Sequence, residues 1–320
     1  MRRALSLLLL VVSLPVLAER ADTATVQGWL QRMVQAVHRL NYDGTFVYLH
    51  DNHLETIRVI HRAGPSGERE RLISLNGAAR EVVRDDASVT CIAPDTRSIT
   101  VGRRVTTAFR AIFSMDAEKL SSYYDFQSLG ETRIAGRPAK VVAIVPRDGY
   151  RYGYRLYLDQ KTYLPLKSDM IDEKGNLVSQ VMFTSLEIRQ ETTAGLDEPS
   201  LEGKEDYHWV NQRSMYPMPG GGEEGWRFEG LPAGYRVGLY AHSSENRKQP
   251  DMDHIVLSDG LASVSVYVEP AGSGPGLQGA ARMGAISAYG RQLDGFQVTV
   301  VGEVPMAMVE RVAAAIRPGT

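Results

Sequence analysis

Three histidines near the start of the chain are the first residues whose type and spacing could hold a metal. His50 and His53 flank Asp51-Asn52. If that pair forms a two-residue hairpin turn, the two imidazoles become cross-strand partners on one face. His61 lies beyond them by about 27 Å of extended strand. It cannot complete a compact tetrahedral site, and two histidines alone rarely hold zinc. No His-Glu-x-x-His and no paired-cysteine motif occurs. A structural role is expected for these histidines, with no metal and no cofactor.

Nucleophile chemistry fares no better. The chain has no Gly-x-Ser-x-Gly. His254, Ser258 and Asp259 are close in sequence, but Ser258-Asp259-Gly260 is fully explained as a hairpin tip. Triads are defined by spatial geometry that sequence proximity does not supply. Gly272-Ser273-Gly274-Pro275-Gly276 lacks the spacing of a dinucleotide-binding loop and reads as a connection. Asp85-Asp86, Glu223-Glu224 and Asp251/Asp253 read as solvated turns. Cys91 is the only cysteine, so no internal disulfide forms; it sits in a strand-like run as a small buried hydrophobe. Catalysis is therefore not expected. The near-zero net charge of −2 also argues against general nucleic-acid binding, which needs a basic excess.

The elements around these residues are mostly strands. Val26, Trp29, Leu30, Met33, Val34 and Val37 fall at helical spacing, capped by Thr23 or Thr25 and ended at Asn41-Tyr42-Asp43-Gly44. Such a stripe needs a sheet to lie on. Short β-rich runs follow at 45–50, 53–61, 71–75, 79–83, 88–93, 98–101, 139–145, 150–158, 164–171 and 177–188. In the 150–158 run, Tyr150, Tyr152, Tyr154, Leu156 and Leu158 share one face, and Arg151, Gly153 and Arg155 the other. Between Thr100 and Phe126 the period breaks. Arg103, Arg104 and Arg110 are interleaved there with Val105, Phe109, Ile112, Phe113 and Met115, as in an amphipathic insertion that turns partly helical from Asp116 to Tyr124.

Residues 1–18 read as a signal peptide: Arg2-Arg3, an apolar stretch, then Val16-Leu17-Ala18 at the cleavage site. The apolar run is too short to span a bilayer. A β-rich domain is expected over 22–190, an acidic linker over 191–212 and a smaller domain over 213–318. In the smaller domain, strands are expected at 226–228, 235–240, 254–257, 261–268, 283–289 and 296–301. Pro305 is placed as the first residue of a final helix whose stripe is Val309, Val312, Ala313 and Ile316.

The meander of the first domain can curl into a half-barrel with a concave apolar face. Candidates to line such a cavity are Phe46, Tyr48, Ile57, Phe109, Ile112, Phe113, Met115, Tyr152, Tyr154, Leu156 and Phe183. Arg103, Arg104 and Arg110 are candidates to meet the anionic part of a lipid. The competing reading is an ordinary filled core beside a solvated arginine loop.

Several stretches carry a resemblance. Tyr42-Asp43-Gly44-Thr45-Phe46-Val47-Tyr48 resembles the opening strand of the RseB/MucB family of periplasmic sigma-E regulators. The resemblance runs through residues 70–77 and 81–84, Arg151-Tyr152-Gly153-Tyr154-Arg155-Leu156-Tyr157-Leu158-Asp159 and residues 164–168. It resumes at 257–266 and 298–305.

The resemblance implies an α+β fold. The N-terminal part is expected to be an unclosed antiparallel β-barrel with helices, of lipoprotein-carrier type, and the C-terminal part a smaller mixed sheet domain. It implies a periplasmic, non-enzymatic protein that binds the periplasmic domain of a membrane-anchored anti-sigma factor and shields it from proteolysis. Release is expected to follow binding of lipopolysaccharide, lipid A or another acylated molecule in the larger domain. The linker and second domain are expected to carry much of the partner contact, with Trp209, Trp226, His254 and Tyr267 as candidates. A homo-oligomer is also expected. The alternative is a periplasmic carrier or chaperone for lipidated cargo, for which the second domain would be superfluous.

Overall fold

The computed structural model describes residues 23–65, 67–103, 112–190, 197–211, 216–217, 225–243, 252–272 and 276–319. The signal-peptide segment, Arg104, Phe109 and Arg110 lie outside these residues, and only the backbone of Arg103 is described.

Helix α1 (Thr23–Arg39) forms where the helical stripe predicts it. Val26, Leu30 and Met33 are wholly buried and Ala36 and Val37 nearly so. Burying each large apolar side chain contributes roughly 1.5–3 kcal/mol, so this stripe anchors the helix. Asn41-Tyr42-Asp43-Gly44 does not form a terminating loop, as expected, but opens the first strand: only Leu40 separates helix from strand. His61 Nδ1 meets the Leu40 carbonyl at 2.8 Å, and the His61 ring stacks on Tyr42 at 4.8 Å. These contacts fasten the sharp turn.

The strands then follow in chain order. They are β1 (Asn41–His50), β2 (His53–Gly64), β3 (Gly67–Ser74), β4 (Glu81–Asp85), β5 (Ser88–Ala93) and β6 (Ser98–Arg103). After the short helix α2 (Ala117–Leu120) come β7 (Tyr124–Ile134), β8 (Arg137–Pro146), β9 (Gly153–Asp159), β10 (Pro165–Ile171) and β11 (Leu177–Arg189). With β12 (His208–Asn211) they make one twelve-stranded sheet in the order β12-β6-β5-β4-β3-β2-β1-β11-β10-β9-β8-β7. Its end strands β12 and β7 do not pair with each other, so the sheet curls without closing. Asp51 and Asn52 both have positive φ and pair His50 with His53, the two-residue turn that the sequence predicts.

Most of the stretch expected as an acidic tether is docked on this sheet. Asp197 is buried and accepts from Arg62 Nε at 2.7 Å. The Ser200 amide donates to Glu81, and β12 adds to β6 in parallel.

The second sheet has the order β13-β15-β16-β17-β20-β19-β18. Its strands are β13 (Tyr216–Pro217), β15 (Arg236–Ser243), β16 (Met252–Ser258), β17 (Ser263–Pro270), β18 (Gly279–Met283), β19 (Ile286–Leu293) and β20 (Phe296–Gly302). Helix α3 (Met306–Ala315) covers one face, and β14 (Trp226–Phe228) pairs with β21 (Ile316–Pro318). Val264, Val266 and Val268 alternate inward to meet Val309, Val312 and Ala313. Pro305 caps α3 rather than opening it, one position from where the sequence places it.

Candidate functional site

An apolar pocket opens on the concave side of the large sheet. It is lined by Val37 from α1, Tyr42 and Phe46 from β1, Val59 from β2, Leu72 from β3, Phe113, Leu164 to Ser168, and Val181 and Phe183 from β11. Strand alternation sends Tyr42 and Phe46 inward from β1 while Asp43 turns out to Arg58, with contacts of 2.8 and 3.0 Å. Phe46 and Phe183 meet edge to face at 5.8 Å across a register shift in the β1–β11 pairing. The rim is charged: Arg84 pairs with Glu70 at 3.4 Å and Lys167 with Asp169 at 3.2 Å. The volume is about 80 Å³. Pockets for drug-sized ligands run to roughly 300–1,000 Å³, so an acyl chain would enter only if these side chains moved.

This pocket divides the sequence-derived cavity candidates. Phe46, Phe113 and Phe183 line it, and Tyr48 and Ile57 pack against the same cluster. Ile112, Met115, Tyr152, Tyr154 and Leu156 do not line it. They are buried with Val26, Leu30 and Met33 in a separate filled core under α1. The half-barrel thus holds two apolar compartments where the sequence suggests one. Alternation along the strands tells inside from outside but does not say which inside.

The second compartment is also where the two sheets meet. Leu261 and Ala285 from the second domain join its core. Above them sits Arg151, which the strand pattern had placed on the outward face; its side chain is fully buried. One guanidinium nitrogen donates to Asp259 Oδ2 at 2.7 Å, another reaches the Ala233 carbonyl, and Nε faces Asp148. The rings of Tyr123, Tyr124 and Tyr235 surround the cation at 4.9–5.4 Å. Tyr124 donates to the same Asp259 oxygen at 2.8 Å. Burial, then the charge of Asp259, pushes the Tyr124 hydroxyl far above its ordinary range, and the Tyr235 hydroxyl rises likewise.

The other oxygen of Asp259 accepts from the Leu261 and Ala262 amides. The hairpin-tip reading of Ser258-Asp259-Gly260 is therefore correct but incomplete: one carboxylate makes the turn and joins the domains. Ser258 Oγ is spent within the turn, donating to the Ala262 carbonyl and accepting from the Gly260 amide. Gly234 has φ +87°, and a Cβ there would come within 2.6 Å of the Tyr123 ring. Neither Arg151 nor Asp259 belongs to a motif that marks a buried pair.

The partner-contact candidates separate in the same way. Trp226 is buried in the second core, its indole donating to Asp253 at 3.0 Å, so it is not a surface residue. His254 and Tyr267 stack on one sheet face at 4.4 Å, with His254 Nε2 at 3.0 Å from Ser265 Oγ. Trp209, on β12, is 53% exposed beside exposed Val210. No group of three or more metal-binding side chains occurs among the described residues.

Comparison with known proteins bears on the whole arrangement. Residues 25–202 match the MucB/RseB N-terminal domain, and residues 221–317 match the MucB/RseB C-terminal domain. The chain belongs to the MucB/RseB family. It is 36% identical to the sigma factor AlgU regulatory protein MucB of Pseudomonas aeruginosa, over 99% of this chain and 98% of that one. It is 28% identical to the sigma-E factor regulatory protein RseB of Escherichia coli K12, over 94% and 93%. Among solved structures, MucB in the Pseudomonas aeruginosa MucA/MucB complex superposes with a TM-score of 0.74 at 32% identity, covering 92% of this chain and 99% of that one. A structure of MucB with MucA(peri) superposes at 0.71 and 30% identity, covering 93% and 100%. The MucB/RseB architecture thus accounts for both domains described above.

Proposed function

We propose that this chain is a periplasmic, non-catalytic regulator of an envelope-stress sigma factor. It binds the periplasmic segment of a membrane-anchored anti-sigma factor and shields that segment from regulated proteolysis. The observation that carries this reading is similarity to MucB across both domains, together with the solved MucA/MucB complex of that relative. An acylated amphiphile, such as lipopolysaccharide, enters the apolar pocket and promotes release. Phe46, Phe113 and Phe183 form its walls and Lys167 and Arg84 its cationic rim. Coupling between two ligands is reciprocal, so the partner weakens lipid binding by the factor that lipid weakens the partner. Trp209, His254 and Tyr267 remain the partner-contact residues of choice. The protein acts as a homo-oligomer, which light scattering checks.

Calorimetric titration with the anti-sigma periplasmic segment from the same organism tests the proposal. The expected result is saturable binding, weakened when lipid A is present. No binding would end the regulatory reading; binding that lipid A leaves unchanged would remove the lipid part alone.

A further inference from the structure

The two sheets end in four edge strands, β12 and β7 in the first, β13 and β18 in the second. An edge strand offers unpaired N–H and C=O groups to any other strand, and natural sheets blunt it with charge, proline or a bulge. Strand β7 carries Asp125, Glu131 and Arg133 and a bulge between Ser128 and Glu131. Strand β13 contains Pro217, and β18 carries Arg282 and begins at Gly279 with φ +80°. Strand β12, His208-Trp209-Val210-Asn211, has no acidic or basic chain, proline, glycine or bulge. Trp209 and Val210 are both exposed on it.

Its open side has a defined geometry. The His208 amide donates to the Arg97 carbonyl at 2.8 Å, and β12 runs parallel to β6 with His208 opposite Ser98. Backbone groups alternate sides along a strand, so the N–H and C=O of Trp209 point away from β6. No described strand pairs with that side.

We propose that a second copy of this chain occupies the β12 edge, the two strands pairing antiparallel about Trp209. This rests on the reading of the protein as a homo-oligomer and names its interface. A two-fold axis between antiparallel strands sets one residue opposite its own equivalent. With Trp209 at the axis, each Trp209 N–H donates to the Trp209 carbonyl of the other copy. The two indoles then lie side by side on one face, and on the other each His208 lies across from a Val210, so an identical strand covers both exposed apolar residues. Charge order along the chain also suits an antiparallel copy: Glu205 and Asp206 precede the strand and Arg213 follows it. An edge of four residues buries less than the roughly 800 Å² per partner of a stable complex, so the dimer is weak and its population follows concentration.

Sedimentation velocity of the full chain over a wide range of concentration tests this. The parent is expected to pass from monomer to dimer. Trp209→Lys, which sets like charges together at the axis, is expected to stay monomeric with an unchanged melting curve. A parent that never associates would end both the homo-oligomer reading and this interface. A parent that associates, with Trp209→Lys associating equally, would end the interface alone. If that variant keeps the dimer but loses the anti-sigma segment, the edge belongs to the partner and the proposal is overturned.

Cross-linking reads the register with Trp209 intact. His208→Cys and Val210→Cys chains, each also carrying Cys91→Ala, are oxidised alone and mixed. In the proposed register Cα atoms of 208 and 210 face each other at about 4.5 Å, within disulfide reach, whereas two copies of either position lie about 8 Å apart. The mixture is expected to give a covalent dimer of one chain of each kind, and each chain alone almost none. Equal cross-linking in all three samples, or none in the mixture, would overturn the pairing.

Discussion

At the scale of single residues, the Arg151–Asp259 pair carries the largest consequence. Both side chains are fully buried. Removing one partner of such a pair leaves an uncompensated charge and costs about 3–5 kcal/mol, whereas removing both for apolar groups is often nearly neutral. Asp259→Ala is therefore expected to lower the urea midpoint sharply, and Arg151→Met in the same chain to restore much of the loss. A double variant no better than Asp259→Ala would show that the turn made by Asp259, not the ion pair, sets the stability.

Tyr48 makes a pH prediction. Burial first, then the carboxylates of Glu303 and Glu55, push its hydroxyl from the ordinary value of 10.0 up to about 12. The fold thus favours the neutral phenol. That contribution is complete below pH 10.0 and is lost as pH rises through about 12. Ultraviolet titration of tyrosinate in parent and Tyr48→Phe chains should show one phenol, absent from the variant, ionising near the upper value.

Among the elements, β1 is the most constrained. A Cβ on Gly44 would sit 2.7 Å from the Ser185 carbonyl and 2.8 Å from the Phe183 ring. Overpacking of this kind costs roughly 1–3 kcal/mol. Gly44→Ala should lower stability by about that amount and drive Phe183 toward the pocket, reducing binding of an apolar probe; unchanged melting and binding would show that β11 gives way freely. The residue pattern reads Asn41-Tyr42-Asp43-Gly44 as the end of the helix, and only the family resemblance marks it as strand; the need for glycine arises from a strand well over a hundred residues away. Strand β7 was not legible. Tyr124 and Phe126 alternate inward, but Gly130 at φ +90° and a bulge between Ser128 and Glu131 break the period before it can be read. The partly helical stretch expected from Asp116 to Tyr124 is borne out only as the short α2, which Asp116 caps by accepting from the Glu118 and Lys119 amides; the helix ends at Leu120, and Tyr124 opens β7.

For the whole molecule, the decisive quantity is the small volume of the pocket. Phe183→Ala removes a wall and is expected to raise affinity for an apolar probe, while lowering stability by less than the roughly 3–5 kcal/mol of a wholly buried Phe, because Phe183 is only partly buried. Unaltered affinity would mean that the wall collapses into the space. The larger domain is joined to the second by a buried ion pair, a ring of tyrosines and the apolar side chains Leu261 and Ala285. The docked segment 197–211 lies along the first sheet, so domain contact does not rest on a free tether.

The sequence by itself determined what repeats locally: the stripe of α1, the alternation of β9 and β17, the Asp51-Asn52 hairpin and the family membership that runs through both domains. Helix and strand periods and turn chemistry act over a few residues, so they can be read without the fold. Only the tertiary structure decided which inward-facing side chains line a space and which fill a core. It alone turned Arg151 inward and placed Trp226 in the interior. Those outcomes depend on contacts between elements distant in the chain, and one strand's alternation is the same whether its inner face meets a cavity, a helix or another domain.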